Sequence, residues 1–425
     1  MARIVLSTIG VRGDLNPFLS LGFGLRARGH DVLFAIEEDF CQEVKEEGFA
    51  VYRLPGDVKE SLMPHFHQLV RGFTPLASLQ IIVKEWILPS LHAKIQELQR
   101  ACTGADLLVA RAAHLAAPIV AELIGIPWVH ITMTPLNIPS AYVNPYLLPL
   151  SWPSELPPFA NRSAWAILQA ALRHVTDNQI NRVRAEYGLA PVRDVMGVGN
   201  HSHTLTALVV SPAFLLPPPD WPSYVRMTGF CFWDTPSTWR EPAELTSFLN
   251  NAEPVIVVSF GSMAPFVKDA FTRLYNTSIA AIRRTGARTL VIGATPQTLP
   301  NSLPDGIFAV PFAPFSQVYP RCAAVIHHGG PYTVAAALRV GVPSFVVPWG
   351  IDQFFTAAQV KRLGIGEWRQ QRFYTVASGA RILHSLMHEP RYKRRAQAIA
   401  AQIAKEDGVT TLCEAIEAVL HHPKK

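Results

Sequence analysis

The stretch AAVIHHGGPYTVAAALRVGVPSFVVPWGIDQ, residues 323–353, decides the fold. It opens on AAVIH, a β-branched apolar run of strand length that Gly329 and Gly330 bring to an end. An Ala-rich segment of helical pattern follows from Pro331, and PSFVVPW (343–349) is a second apolar strand. Strand, glycine turn, helix and strand together make the repeating unit of a parallel sheet. A helix starting near Pro331 offers N–H groups without intrahelical partners and the positive end of its dipole, beside glycines that admit close backbone approach. These are the parts of an anion site. Proline at the first helical position removes an N–H that has no intrahelical partner anyway, while Tyr332 sets a bulky residue beside the turn. The expected anion contacts are the N–H groups of Tyr332 and Thr333 and the imidazole of His327, with His328 as the alternative ring. Beyond the next strand, Asp352 brings an acceptor-only carboxylate and Gln353 an amide with donors and acceptors, a pair suited to sugar hydroxyls.

The same rhythm opens the chain. ARIVLST (2–8) reads as a buried strand, IGVRGDLNP (9–17) as a glycine-containing turn, FLSLGFGLRARG (18–29) as a helix and HDVLFAI (30–36) as the next strand. A second opening of this kind is EPVIVVSFGSM (253–263), followed by the helical pattern DAFTRLYNTSIAAIRRTG (269–286) and the strands RTLVIG (288–293) and IFAVPF (307–312). Between the two openings lies the proline-rich stretch 211–245, which disfavours regular helix and sets a domain boundary near residues 233–242. The expected fold is α/β, with two Rossmann-like parallel-sheet domains. Ligands of such sheets bind beyond the carboxyl ends of the strands, so two of them facing one another would enclose a central cleft.

Bulk composition agrees with two domains: 425 residues, 49% hydrophobic and 16% charged, exceed what a single core usually holds. The formal charge of +6 and pI near 9.1 are compatible with a phosphorylated small molecule, nucleic acid or an anionic membrane. No zinc-finger spacing, basic repeat or nucleic-acid signature is present, so no nucleic-acid partner is expected. The densest basic run, Arg391-Tyr392-Lys393-Arg394-Arg395, reads as a solvated helix face and leaves membrane-surface contact open. Cys41, Cys102, Cys231, Cys322 and Cys413 are scattered and odd in number, which suits a reducing cytosol better than a disulfide framework. The first residues lack the long apolar run of a signal peptide, and charged residues or prolines interrupt every later apolar stretch, whereas a spanning helix needs about 20 such residues. A cytoplasmic chain is expected, with peripheral contact to the inner membrane face as the open alternative.

The co-linear residues His327, Gly329, Gly330, Thr333, Gly341, Val342, Pro343, Pro348, Asp352 and Gln353 resemble a pattern like H-x-G-G-x-G-T, G-V-P and P-x-x-x-D-Q. That pattern belongs to the nucleotide-sugar-dependent glycosyltransferases of the GT-B fold, the UDP-glycosyltransferase superfamily. The opening STIGVRGDLNPF is similar to the start of its bacterial branch, which includes rhamnolipid rhamnosyltransferases, sterol glucosyltransferases and antibiotic glycosyltransferases. The resemblance implies an inverting transfer of a hexose from a UDP- or dTDP-sugar, the donor being a substrate and no resident cofactor being expected. It further implies an acceptor-binding domain over 1–232, a linker over 233–242 and a donor-binding domain over 243–425, whose last helix is the element open to packing back on the first domain. Asp14 falls at the family's catalytic base, which must lie within hydrogen-bond reach of the attacking hydroxyl; from the residues alone it is a helix N-cap, and the two roles are compatible. Ser262 sits in the Gly-Ser turn that the family uses near the donor's phosphates or ribose, with ordinary turn chemistry as its other reading. Pro314, Phe315 and Ser316 occupy the family's base-binding loop.

The acceptor side is carried by apolar and aromatic residues in 61–95 and 137–170: Phe66, Phe73, Trp86, Tyr142, Tyr146, Trp152, Phe159 and Trp165. Trp86, His114 and Tyr142 are the candidate acceptor contacts, for a hydrophobic small molecule or lipid. ADLLVARAAH (105–114) offers Arg111 and His114 where plant members of the family place an aspartate that orients their histidine; Arg111 reads as one half of a structural ion pair or as a clamp for an acceptor carboxylate. No D-x-D occurs, and the pairs His65/His67, His201/His203 and His421/His422 lack ligand spacing, so no metal is expected. An NAD-dependent oxidoreductase would need a clean G-x-G-x-x-G, which neither glycine turn supplies. A nucleotide-sugar epimerase of the same fold, or a catalytically impaired partner protein suggested by Pro331 and Tyr332, are the remaining alternatives. Asp14, His327, Asp352 and Gln353 weigh against the latter.

Overall fold

The β-branched runs form thirteen strands in two sheets, as seen in a computed structural model that describes residues 1–56, 61, 63–65, 80–145, 156–264, 268–295, 299, 303–350 and 352–421. In the first unit these are β1 (Arg3–Thr8), β2 (Asp31–Glu37), β3 (Ala50–Leu54), β4 (Leu107–Arg111), β5 (Trp128–Thr132), β6 (Thr206–Leu208) and β7 (Val225–Met227). All pair in parallel, in the order β3-β2-β1-β4-β5-β6-β7. The second unit holds β8 (Val255–Ser259), β9 (Arg288–Ile292), β10 (Ile307–Val310), β11 (Ala324–His327), β12 (Ser344–Val346) and β13 (Gly366–Trp368). They too are all parallel, in the order β10-β9-β8-β11-β12-β13.

Parallel strands are covered by helices on both faces, which is why β8 (VIVVS) is buried at every residue and reads as a continuous apolar run. On one face of the first sheet Ile4, Leu6 and Val109 pack against Leu15, Phe18 and Leu19 of the helix Arg12–Ala27 and against Leu412 and Ile416 of the helix Gly408–His421. The second core gathers Val255, Val257, Leu290, Val325, Ala336 and Val342. Each fully buried Val, Leu, Ile or Phe contributes roughly 1.5–3 kcal/mol. Stability therefore resides in the sheets, and the strand-end loops are left to bind.

The helix after β1 begins at Arg12, six residues earlier than the turn IGVRGDLNP suggests, and contains Pro17. Pro17 costs one intrahelical bond and strains the preceding turn. Burial of Leu15, Phe18, Leu19 and Leu21 along that helix outweighs the cost. The first unit comprises Met1–His65, Phe73–Trp233 and Glu406–Lys425, and the second is built on Asp234–Lys405. The last helix therefore belongs to the first unit, where Arg28 pairs with its Glu417 at 2.8 Å. Asp234, which falls in the 233–242 stretch, belongs to the second unit.

Each sheet has one point where strand order reverses: between β1 and β4 in the first, and between β8 and β11 in the second. Open parallel sheets bind ligands beyond the carboxyl ends at that reversal. The carboxyl ends of β1 and β4 and the segments that follow them carry Asp14, Arg111 and His114; those of β8 and β11 carry Ser262 and the His-His-Gly-Gly run.

Candidate active site

In the first unit the chain leaves β1 at Gly10, whose φ of +114° only glycine adopts without strain. Asp14 then stands at the third position of the helix and is not its N-cap: that place is taken by Val11, which has no side-chain acceptor. The carboxylate instead reaches back, Oδ2 accepting the Val11 N–H at 3.0 Å, while Oδ1 pairs with Arg111 Nη2 at 2.8 Å. Arg111 is thus committed to an ion pair with Asp14, at side-chain exposures of 24% and 14%. Each carboxylate oxygen carries two lone-pair sites. With one partner on each, Asp14 is fixed in place and keeps acceptor capacity for a hydroxyl.

Beneath it, Ser7 donates its hydroxyl to Ala35 O at 2.8 Å, so its oxygen accepts from His114 Nε2 at 2.9 Å. That arrangement assigns the His114 proton to Nε2. Burial, then the Lys94 charge, pulls this imidazole down to about 3, and it is neutral at ordinary pH. His114 is buried under the loop, Trp86 is buried with its ring 5.4 Å from Lys94 Nζ, and Tyr142 is 56% exposed. Of the other aromatic candidates, Trp165 is core and donates to Val143 O at 2.7 Å, and Phe159 is exposed. Phe66, Phe73, Tyr146 and Trp152, like His67 and His422, lie outside the described residues. The structure adds two residues that sequence reasoning missed: Glu37 at the end of β2 accepts the Gly10 N–H at 3.3 Å and pairs with Lys94 at 2.7 Å. One signal was available, because Lys94 lies on the apolar stripe Leu91, Ile95, Leu98 of its helix.

In the second unit the two adjacent histidines have different settings. His327, the last residue of β11, is buried, and its Nδ1 accepts the Gly329 N–H at 3.1 Å. The proton of this neutral ring is therefore on Nε2. His328 leaves the strand and stacks on Trp349, 6.3 Å between centroids. It is clasped between the two loops: a Cβ on Gly261 would fall 2.8 Å from its Cε1, and one on Gly330 would fall 2.5 Å from its Nε2. Burial holds His327 at about 3 and His328 at about 4, the Ser259 backbone partly opposing the shift of His328. His328, not His327, is the ring set beside Gly330 at the entrance of the helix Pro331–Val340.

Pro331 takes the first helical position, and Tyr332 and Thr333 are folded inward and buried. Ser262 is exposed in its turn. Pro314 caps the short helix Phe315–Val318, Phe315 stacks on Tyr319, and the Ser316 N–H donates to Asp234 Oδ2 at 2.8 Å. Asp352 stands at the N-cap position of the helix Gln353–Arg362 without a side-chain capping bond. Gln353 Oε1 accepts the N–H groups of Trp349 and Gly350 at 2.9 and 3.2 Å. Its NH₂ donors remain for a ligand. Among the described residues no group of three or more His, Cys, Asp or Glu is placed to hold a metal ion, and no helix is long and apolar enough to cross a membrane.

Away from these loops, His130 and His201 are buried with ring centroids 5.2 Å apart. Burial pulls His201 down to about 4, partly offset by the Asn137 backbone, and pulls His130 well below the usual range. Histidine in the unfolded chain titrates near 6.5, so below that pH the unfolded state binds protons that the folded state refuses. Stability should therefore fall as pH drops from about 6.5 toward about 4, by up to ~1.4 kcal/mol per pH unit for each such ring. Urea midpoints measured at pH 7.5, 6 and 5 should decline, and His201→Gln should flatten the decline; a midpoint independent of pH would contradict neutral burial.

The loops and sheets can be set beside known proteins. Residues 4–135 match the glycosyltransferase family 28 N-terminal domain, and residues 286–419 match the erythromycin biosynthesis protein CIII-like, C-terminal domain. O-mycaminosyltylonolide 6-deoxyallosyltransferase of Streptomyces fradiae is 30% identical, over 98% of this chain and 97% of its own length. A sterol 3-beta-glucosyltransferase of Candida albicans is 28% identical over 99% of the chain, which spans 28% of that longer protein. Among solved structures, the glycosyltransferase of kitacinnamycin superposes with a TM-score of 0.73 at 19% identity, covering 99% of both chains. Glycosyltransferase VinC, in complex with dTDP, gives 0.69 at 19% identity, covering 99% of this chain and all of its own. At such identity the superpositions speak for the fold.

Proposed function

This chain belongs to the GT-B glycosyltransferases of family 28 and erythromycin CIII-like type, and from that premise we propose that it transfers a hexose from a UDP- or dTDP-sugar, with inversion, to a hydroxyl of a hydrophobic acceptor. The acceptor class is a natural-product aglycone, sterol or lipid, in keeping with the O-mycaminosyltylonolide and sterol named for its relatives. The observation that carries the reading is the doubly anchored carboxylate of Asp14 at the strand-order reversal of the first sheet. Asp14 accepts the proton of the acceptor hydroxyl as its oxygen attacks the anomeric carbon and the nucleoside diphosphate departs. A single displacement of this kind inverts the anomeric centre and needs one carboxylate. Charge on the departing diphosphate is received by the N–H groups of Tyr332 and Thr333 at the helix entrance, donors already in place, with the His328 ring packed beside them at Gly330. Asp352 accepts from, and the Gln353 NH₂ donates to, sugar hydroxyls. The Pro314–Ser316 segment meets the base with the half-buried Phe315 ring, backed by Tyr319, since Asp234 holds the Ser316 N–H and the Pro314 and Phe315 carbonyls already accept helical N–H groups.

Calorimetric titration with UDP and dTDP tests the reading and separates the two bases. Absence of binding to either would overturn it. His328→Ala should weaken the diphosphate affinity about 10- to 100-fold, the worth of one N–H hydrogen bond to a charged group, because the ring packed at Gly330 keeps those donors in place. His327→Ala should show first as lost thermal stability, because it empties a buried site and strands the Gly329 N–H. Equal affinity in His328→Ala and the parent would mean that the ring does not hold those donors.

A further inference from the structure

Glu37 and Lys94 form an ion pair with side chains only 2% and 5% exposed. Such a pair is a poor device for stability, because desolvating two charges offsets most of their attraction and apolar residues of similar volume commonly serve as well. Its position suggests a different use. Glu37 Oε1 binds Lys94, and Glu37 Oε2 accepts the N–H of Gly10, the residue at which the chain turns from β1 toward Asp14. Gly10 lies so close to the carboxylate that a Cβ there would fall 2.5 Å from Asp14 Oδ2. A displacement of Gly10 is passed to Asp14 through the adjoining residue, because the Val11 N–H donates to Asp14 Oδ2 at 3.0 Å. Lys94 in turn sits beside the ring of Trp86.

We infer that the buried Glu37–Lys94 pair is a positioning device for the base: Glu37 pins Gly10, Gly10 bears on Asp14 through Val11, and Arg111 holds the far carboxylate oxygen. This rests on the reading of Asp14 as the base. A carboxylate fixed on both sides meets the attacking hydroxyl in one geometry, and a misplacement near 1 Å costs about 100-fold in rate. Lys94 holds Glu37 in its orientation through the 2.7 Å ion pair, and neither residue touches substrate.

The test uses paired substitutions that keep the charge balance. Glu37→Met with Lys94→Met removes the acceptor for the Gly10 N–H; Glu37→Gln with Lys94→Gln retains it as an amide carbonyl. The Met pair should melt near the parent temperature, keep donor and acceptor KM within about twofold, and lose about 10- to 100-fold in kcat. The Gln pair should recover kcat to within a few-fold of the parent, which a purely structural role would not require. Glu37→Leu with Lys94→Leu removes the same acceptor in a different shape, so a packing failure of the Met pair does not decide the outcome. A kcat within threefold of the parent in a folded apolar pair, or a Gln pair as slow as the apolar ones, would overturn the inference. Asp14→Asn assayed in parallel separates the two claims: turnover retained there is a failure of the base assignment, whereas turnover lost there but kept in the apolar pairs is a failure of positioning alone.

Discussion

Asp14→Asn should lower the rate of sugar transfer by about 10²–10⁴-fold, the usual contribution of a positioned general base, and leave UDP or dTDP affinity unchanged. Asparagine is nearly isosteric, so the loop after β1 keeps its shape, but an amide does not accept a proton near neutral pH. It also cannot satisfy both neighbours. Its single carbonyl oxygen can face either the Val11 N–H or the Arg111 guanidinium, and its NH₂ then confronts the other donor. A modest loss of melting temperature is therefore expected as well, since the first-turn charge and the partly buried pair are both lost. Steady-state rates with a saturating donor, alongside calorimetry with the diphosphate alone, separate chemistry from binding. Full turnover in this variant would place the proton acceptor elsewhere.

How far the sequence foretold these contacts depends on their range along the chain. β1, β8 and β11 were legible because a strand covered on both faces must be apolar throughout, and the glycine turns after them were legible because only glycine suits those backbones. The helix carrying Asp14 is longer than its sequence pattern indicates: Pro17 looks like a breaker, and nothing local announces that Asp14 can stand at the third helical position. His327 and His328 show a limit of pattern reading. Adjacent residues at a strand end point to opposite sides, and the composition HHGG does not say which ring meets the loops. The pairs that hold the site in place are nonlocal. Lys94 is 57 residues from Glu37 and Asp234 is 82 from Ser316, so neither pairing follows from any window of sequence.

Gly329→Ala is expected to cost the second unit both stability and diphosphate binding, and its comparison with Gly330→Ala locates the reason. Gly329 has φ +94°, where a side chain adds roughly 1–3 kcal/mol of backbone strain. Its Cβ would also fall 2.8 Å from Val346 Cγ1 and 3.0 Å from Thr356 Oγ1, an overlap worth about 1–3 kcal/mol more in a packed interior. The backbone has little room to yield. The Gly329 N–H is held by His327 Nδ1 and its carbonyl by the Thr356 hydroxyl, which is itself fixed to the helix Gln353–Arg362. A shift there moves the helix entrance and the Asp352–Gln353 segment together. A lower melting temperature and a loss of at least tenfold in UDP or dTDP affinity should appear in one variant. Gly330 differs, with φ −56°, and the atom its Cβ would meet is His328 Nε2 at 2.5 Å. Gly330→Ala therefore adds no strain of its own backbone and presses on the ring instead, so affinity should fall with little loss of melting temperature. If both variants melted alike and bound alike, the turn would not be the rigid element on which the donor reading depends.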